Sequence, residues 1–134
     1  MYAFQNEAVK KAFESFPAPV REKLILIRGL IFEEASRNPN VGAMRESLKW
    51  GQPSYVSLLK SGSPIRLGME KKNQDKFGLY VHCQTNLVET FKHIYPHAFT
   101  YGANRSILFK TDELIEEEPL RHCITIALTY HLKK

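Results

Sequence analysis

Five residues on two strand-like segments of this sequence could bind an anion together. Arg66 and Gly68 alternate with the apolar residues of one segment, and Gly78, Tyr80 and His82 alternate with those of the next. Successive side chains of a strand point to opposite faces of a sheet, so these five share the face turned away from the core. The glycines leave space there, and arginine, tyrosine and histidine suit a carboxylate or phosphate. The alternative interpretation is an ordinary solvated sheet face.

The segment ESLKWGQPSY holds the only tryptophan, Trp50. One interpretation is that Trp50 fills the core, while Gly51 and Pro53 shape a bulge or sharp bend. The other is that this bend opens one end of the sheet, where Trp50 or Tyr55 lines a cavity and orients a ligand. We predict that Trp50 is mostly buried. The predicted ligand-binding residues are Trp50, Tyr55, Arg66, Tyr80 and His82.

Residues that could bind a metal are scattered along the chain. The histidines and cysteines show no CxxC or HExxH spacing, and neighbours such as His82 and Cys83 point to opposite faces of a strand. Carboxylates cluster before the last helix, at Asp112, Glu113, Glu116, Glu117 and Glu118. Acidic residues at a helix N-terminus complement the helix dipole, so this acidic cluster is expected for stability. A weak site for a divalent ion is the alternative.

The sequence contains no pattern that indicates catalysis. Cys83 falls on the apolar side of its strand and Cys123 lies beside isoleucines, so both thiols are expected to be buried and inert. A nucleophile elbow, a P-loop and a dinucleotide fingerprint are all absent from the sequence. We predict no catalytic residues and no cofactor, and we favour a protein that is not an enzyme.

Length and composition predict one globular domain over residues 1–134. Apolar residues make up 43% and charged residues 25%, which is typical of soluble proteins. The formal charge of +5 is spread along the chain, so nucleic acid is not favoured as a partner. With two cysteines, no leader-like N-terminus and no apolar run of about 20 residues, we expect a cytoplasmic protein without a membrane span. Its expected partner is an unknown small molecule or protein, a second copy of the chain included.

Hydrophobic periodicity predicts the elements that position these residues. Helical spacing indicates helices over 4–15, 20–36, 87–94 and from 116 towards the C-terminus. Alternation indicates strands over 48–51, 55–59, 65–69, 77–83 and 105–110, with a polar loop over 71–76. The order α-α-β-β-β-β-α-β-α predicts an α+β fold, in which helices cover mainly one face of an antiparallel sheet of about five strands. Strand parity requires Gly68 to lie opposite Gly78 or Tyr80.

Three places in the chain resemble the YdhG-like family of small bacterial domains, also called domain of unknown function 1801. The Trp-Gly-x-Pro-x-Tyr pattern from Trp50 to Tyr55 is the most specific of them. The others are Phe16-Pro17 with the second helix, and the segments 77–81 and 105–109. The resemblance covers residues 13–130 and implies the fold. One member is described as a frataxin-like iron chaperone, so the resemblance also implies iron handling as an alternative function.

These observations favour a small, non-enzymatic domain that binds a small ligand or a partner near the bend between Trp50 and Tyr55. A metal-handling protein that uses the acidic cluster is the first alternative. An enzyme of unrecognised type is the second. An apolar cavity with few polar groups would indicate the ligand-binding protein, and converging carboxylates would indicate the metal-handling one.

Overall fold

The computed structural model describes residues 2–71 and 75–132. Its helices are α1 (Glu7–Ser15), α2 (Ala18–Ser36), α3 (Leu87–Ile94) and α4 (Glu117–Leu128), and a 3-10 turn (Tyr130–Leu132) follows α4. Its strands are β1 (Met44–Lys49), β2 (Gln52–Ser57), β3 (Ile65–Met69), β4 (Lys76–Tyr80), β5 (Thr100–Gly102) and β6 (Ser106–Lys110). The predicted α+β fold is confirmed. Of the predicted polar loop over 71–76, residues 72–74 lie outside the described part of the chain.

The strands form one antiparallel sheet in the order β1-β2-β3-β4-β6-β5. Gly68 lies opposite Gly78, which is one of the two pairings that parity allowed. The sheet has one strand more than predicted, because β5 is only three residues long and pairs at the edge with β6. A strand this short contains too few residues to show alternation in the sequence.

The helices and one face of the sheet enclose the core. Large side chains from β3, β4 and β6 are at most 1% exposed and point to this face, as the alternation predicted. The set comprises Ile65, Leu67, Phe77, Leu79, Ile107 and Phe109. Helix α2 contributes Leu24, Ile27 and Ile31, which are fully buried. The other face of the sheet is therefore left to the polar and small residues that alternate with these.

The loop between β2 and β3 packs on the end of α4. Ser61 Oγ donates to the carbonyl oxygen of Leu128 at 2.6 Å. The backbone amide of Ser63 donates to the carbonyl oxygen of Ala127 at 3.0 Å. These contacts satisfy carbonyl groups that the end of a helix leaves without a partner. No helix in the described residues is both long and apolar enough to cross a membrane.

Candidate functional site

The sheet face turned away from the helices, here called the open face, carries small and polar residues near its centre. Arg66 lies opposite Tyr80, and Tyr80 lies opposite Ser106 on β6. Gly68 and Gly78 form the next pair along the same strands. The side chains of Gln52 and Leu108 lie close over this glycine pair, so the space on the open face lies beside it, around Arg66, Tyr80 and Ser106.

Two adjoining cavities occupy this part of the open face. The first has a volume of about 460 Å³, and its lining includes Trp50, Gln52, Arg66, Glu70, Tyr80, Arg105 and Ser106. The second has a volume of about 340 Å³, and its lining includes Trp50, Ser54, Val56, Pro64, Arg66, His82, Cys83 and Arg105. Both volumes lie within the range that is typical of small-molecule sites. Because Trp50, Arg66 and Arg105 line both cavities, we treat the two as one groove.

Two guanidinium groups in this groove have no carboxylate partner among the described residues. Nη1 of Arg66 donates to Oε1 of Gln52 at 3.3 Å, and Arg105 is exposed in the turn between β5 and β6. Within residues 2–71 and 75–132, the ion pairs involve Arg28, Arg37 and Arg121 but neither of these two. The groove therefore presents two guanidinium groups whose hydrogen-bond donors can reach a ligand, and Lys49 and Lys71 add positive charge to its lining.

Tyr80 and Glu70 form a tight pair at one side of the groove. The phenol of Tyr80 donates to Oε2 of Glu70 at 2.5 Å. Burial, together with the hydrogen bond to Glu70 and its negative charge, raises the pKa of Tyr80. The phenol therefore stays protonated, and Glu70 is held by it. Glu70 is the one carboxylate in the described lining of the two cavities.

Trp50 lies at the tip of a hairpin, and the prediction that it is mostly buried is wrong. It is 91% exposed. Trp50 and Gly51 form the two-residue turn between β1 and β2, with φ of 54° and 76°, as a type I′ turn requires. The pairing of β1 with β2 runs without a bulge from Met44 and Ser57 to Lys49 and Gln52. The bend predicted from Gly51 and Pro53 is therefore this tight turn, and the core has no place for the indole.

Tyr55 is fully buried on the core face and does not line the groove. Its hydroxyl donates to Oε2 of Glu46 at 2.7 Å, and Arg28 donates to both oxygens of the same carboxylate at 2.6 and 3.1 Å. Burial first, and then the hydrogen bond to Glu46, raise the pKa of Tyr55. The placement of Tyr55 with the other site residues is thus corrected, since on β2 it is Ser54 and Val56 that face the groove.

His82 is placed in the groove, but its neighbourhood differs from the one predicted. Strand β4 ends at Tyr80, and His82 and Cys83 lie in the turn that follows, exposed and both lining the second cavity. The expectation of a buried Cys83 is wrong, because alternation stops where the strand ends. Cys123 is buried, as expected, and burial raises the pKa of its thiol to about 12. Its thiolate is therefore not formed near neutral pH.

The acidic cluster borders an ion-pair network that joins α2 and α4. Arg121 of α4 pairs with Glu33 and Glu34 of α2 at 2.7 and 2.8 Å, and more loosely with Glu117 and Glu118 at 3.9 and 3.7 Å. Asp112 and Glu116 are exposed. In the part of the chain that the structure describes, no three His, Cys, Asp or Glu side chains converge as a metal site requires.

Sequence reasoning missed Arg105, although it had the residue at a strand end. In a strand over 105–110, alternation would place Arg105 on the core face with Ile107 and Phe109. The structure ends that strand at Ser106 and puts Arg105 in the turn after Gly102, so the alternation does not apply to it. The glycine and asparagine of the Gly102-Ala-Asn104 stretch are the signal that would have revealed this turn. Gln52 was missed because it was assigned to the bend.

A scan of this chain against protein-family models finds no match, and no curated protein matches it in sequence. Among solved structures, the fold is similar to that of a protein from the duf1801 family, YdhG of Bacillus subtilis. The TM-score is 0.66 at 13% identity, over 94% of this chain and 92% of the other. The YdhG-like fold implied by the sequence resemblance is thereby confirmed. Nothing in this likeness concerns iron, and the implied chaperone role finds no support in it.

Proposed function

We propose that this protein is a non-enzymatic binding module whose groove takes a small anionic ligand, a carboxylate or a phosphate. One observation carries the proposal. Arg66 and Arg105 line both cavities of the groove, and neither forms an ion pair within the described residues. Guanidinium groups match the geometry of carboxylates and phosphates, and two of them oriented to one depression favour an anion there.

The surroundings of the two arginines support a defined site over a merely basic surface. Gln52 holds the guanidinium of Arg66 through its Oε1, which limits the orientations of that side chain. Tyr80 is only 8% exposed and forms a wall of the first cavity. A site whose donors are held before the ligand arrives loses less conformational entropy on binding.

The same groups give little support to catalysis. The raised pKa of Tyr80 keeps its phenol protonated, which suits it to orient groups and not to attack them. Nδ1 of His82 accepts from the backbone amide of Gln84 at 3.1 Å. Cys83 lines the second cavity, but no described hydrogen bond joins its thiol to a base.

Intrinsic fluorescence provides a direct test, because Trp50 is the only tryptophan and lines the groove. The parent protein is titrated with inorganic phosphate and with citrate at constant ionic strength. We expect a saturable change in emission. The affinity obtained from this titration should fall at least about tenfold in Arg66→Gln and in Arg105→Gln, since each substitution removes a charge-assisted contact.

Arg45→Gln is the matched control. Arg45 is an exposed arginine of β1 that lines neither cavity, and its replacement changes the net charge by the same amount. Affinity should be unchanged in this variant. Equal weakening in all three variants would show non-specific attraction to a basic surface, and the absence of saturation in the parent would reject the proposal.

A further inference from the structure

Trp50 occupies a position that neither its backbone nor its burial explains. A type I′ turn needs positive φ at both central residues and favours asparagine or glycine there. Trp50 has φ of 54°, a left-handed conformation that is strained for a bulky side chain. Its indole is 91% exposed, so burial does not offset that strain. A strained and exposed aromatic residue is an observation from which a functional role can be inferred.

The indole is placed where a ligand in the groove would meet it. Trp50 lines both cavities, and so do Arg66 and Arg105, which form no ion pair within the described residues. In the second cavity Val56 and Pro64 add apolar surface. A flat ring could therefore contact the indole and this surface while a charged group attached to it remains at the arginines.

We propose that the ligand is an aromatic anion, a ring or heteroaromatic ring that carries a phosphate or carboxylate. The ring stacks on the indole of Trp50, and the anionic group is bound by Arg66 and Arg105. Mononucleotides belong to this class. The inference rests on the proposed function and adds the aromatic half of the ligand to it.

The size of the groove agrees with a ligand of two parts. The cavities measure about 460 and 340 Å³ and adjoin at the residues they share. The shared position holds the two charges, and the apolar surface lies to one side of it. A bare phosphate would be held by the arginines beside the indole, close enough to affect its emission, but it has no ring to stack on it. Stacking on an aromatic side chain therefore adds affinity that an anion without a ring cannot gain.

The test compares phenyl phosphate with methyl phosphate, which has a similar anionic group and no ring. Calorimetry measures both affinities in the parent and in Trp50→Asn. Asparagine suits the positive φ of this turn, so the variant should keep the hairpin. We expect phenyl phosphate to bind the parent on the order of tenfold more tightly than methyl phosphate. In Trp50→Asn the ratio should fall towards one.

Leu114→Asn is the control, because Leu114 is 90% exposed and lies outside the groove. It should keep the ratio of the parent. If both phosphates bind the parent equally and lose affinity in Arg66→Gln, the aromatic ligand is rejected and the anion site stands. If neither binds, the proposed function fails as well. A ratio that persists in Trp50→Asn would also overturn the inference, since the ring would then be bound elsewhere.

Discussion

At the scale of single residues, Trp50 contributes little to the stability of the fold. Its backbone is in the left-handed region and its indole is in water. We predict that Trp50→Asn leaves the free energy of unfolding unchanged or raises it by up to about 1 kcal/mol, because the turn is relieved of strain. Urea denaturation followed by circular dichroism measures this without the tryptophan signal. A loss larger than about 1 kcal/mol would mean that the indole packs against the protein.

Glu46 is the residue whose ionisation should control stability in acid. Burial alone would raise the pKa of its carboxyl group, but hydrogen bonds from Arg28, the backbone of Gln5 and Tyr55 outweigh burial and lower it. With a folded-state pKa below the ordinary value of about 4.3, its contribution is complete above that value. It is lost as the pH falls through the folded-state pKa. We therefore predict a loss of stability as the pH falls below about 4.3 and through the lowered folded-state pKa of Glu46.

Variants of this buried pair separate its charge from its packing. Glu46→Gln leaves Arg28 buried without its counterion and should cost about 3–5 kcal/mol. Tyr55→Phe removes one hydrogen bond to the carboxylate and should cost about 1.5–3 kcal/mol. Denaturant unfolding at several pH values measures both effects. The acid dependence should be weaker in Glu46→Gln than in the parent, and an equal dependence would assign it to other carboxyl groups.

Within a strand, the sequence predicted correctly which face of the sheet each side chain points to. Beyond the end of a strand, such predictions failed. Arg66 and Tyr80 lie opposite each other on the open face, as alternation along β3 and β4 required. Cys83 lies just outside β4, and its predicted burial was wrong for that reason, whereas Arg105 lies just before β6, where the predicted strand began. The burial of Arg28 and Glu46 was also unforeseen. An ion pair 18 residues apart in sequence becomes visible only when a helix and a strand pack together.

At the scale of elements, the glycine pair of β3 and β4 should respond unequally to an added methyl group. A Cβ on Gly78 would overlap the carbonyl oxygen of Ile107 on the neighbouring strand, which cannot move without breaking the sheet. A Cβ on Gly68 would lie 2.6 Å from Nε2 of Gln52, the flexible end of a side chain. We predict that Gly78→Ala costs about 1–3 kcal/mol, whereas Gly68→Ala stays within about 1 kcal/mol of the parent.

Thermal or chemical unfolding of the two variants gives the comparison directly. Gly68→Ala has a second readout, because a displaced Gln52 can no longer hold Arg66. Its affinity for phosphate should therefore fall although its stability is kept. Equal destabilisation by the two substitutions would show that the strands shift as a unit.

Most helices and strands were predictable, and the errors arose at connections. Pro17 and Pro19 marked the start of α2, and the Asn38-Pro-Asn40 stretch its end, and both are close to the observed limits. The hairpin turn at Trp50 and Gly51 was mistaken for strand because tryptophan is rare at positive φ. A two-residue turn is defined by its backbone dihedral angles, and the residue types at these two positions did not indicate such a turn.

At the scale of the whole molecule, the two sides of the sheet differ in how their charged side chains are paired. On the helical side Arg121 holds four carboxylates, and Glu46 is buried against Arg28. On the open face, Arg66 and Arg105 form no ion pair within the described residues, and Glu70 is bound by Tyr80. Within the described residues, carboxylates thus pair with Arg28 and Arg121 on the helical side, whereas the arginines of the groove are left without them.

This distribution leads to a prediction about metals. A hard divalent cation needs several oxygen ligands converging on one point, and the described residues offer no such group. We therefore expect no tight binding of ferrous iron in anaerobic calorimetry.

The acidic cluster is the place to examine, and a variant with Glu116, Glu117 and Glu118 changed to glutamine should behave as the parent does. Circular dichroism must show that this variant keeps its helices, since Glu117 and Glu118 lie near Arg121. Tight binding by the parent that disappears in this variant would place metal handling ahead of ligand binding as the favoured function.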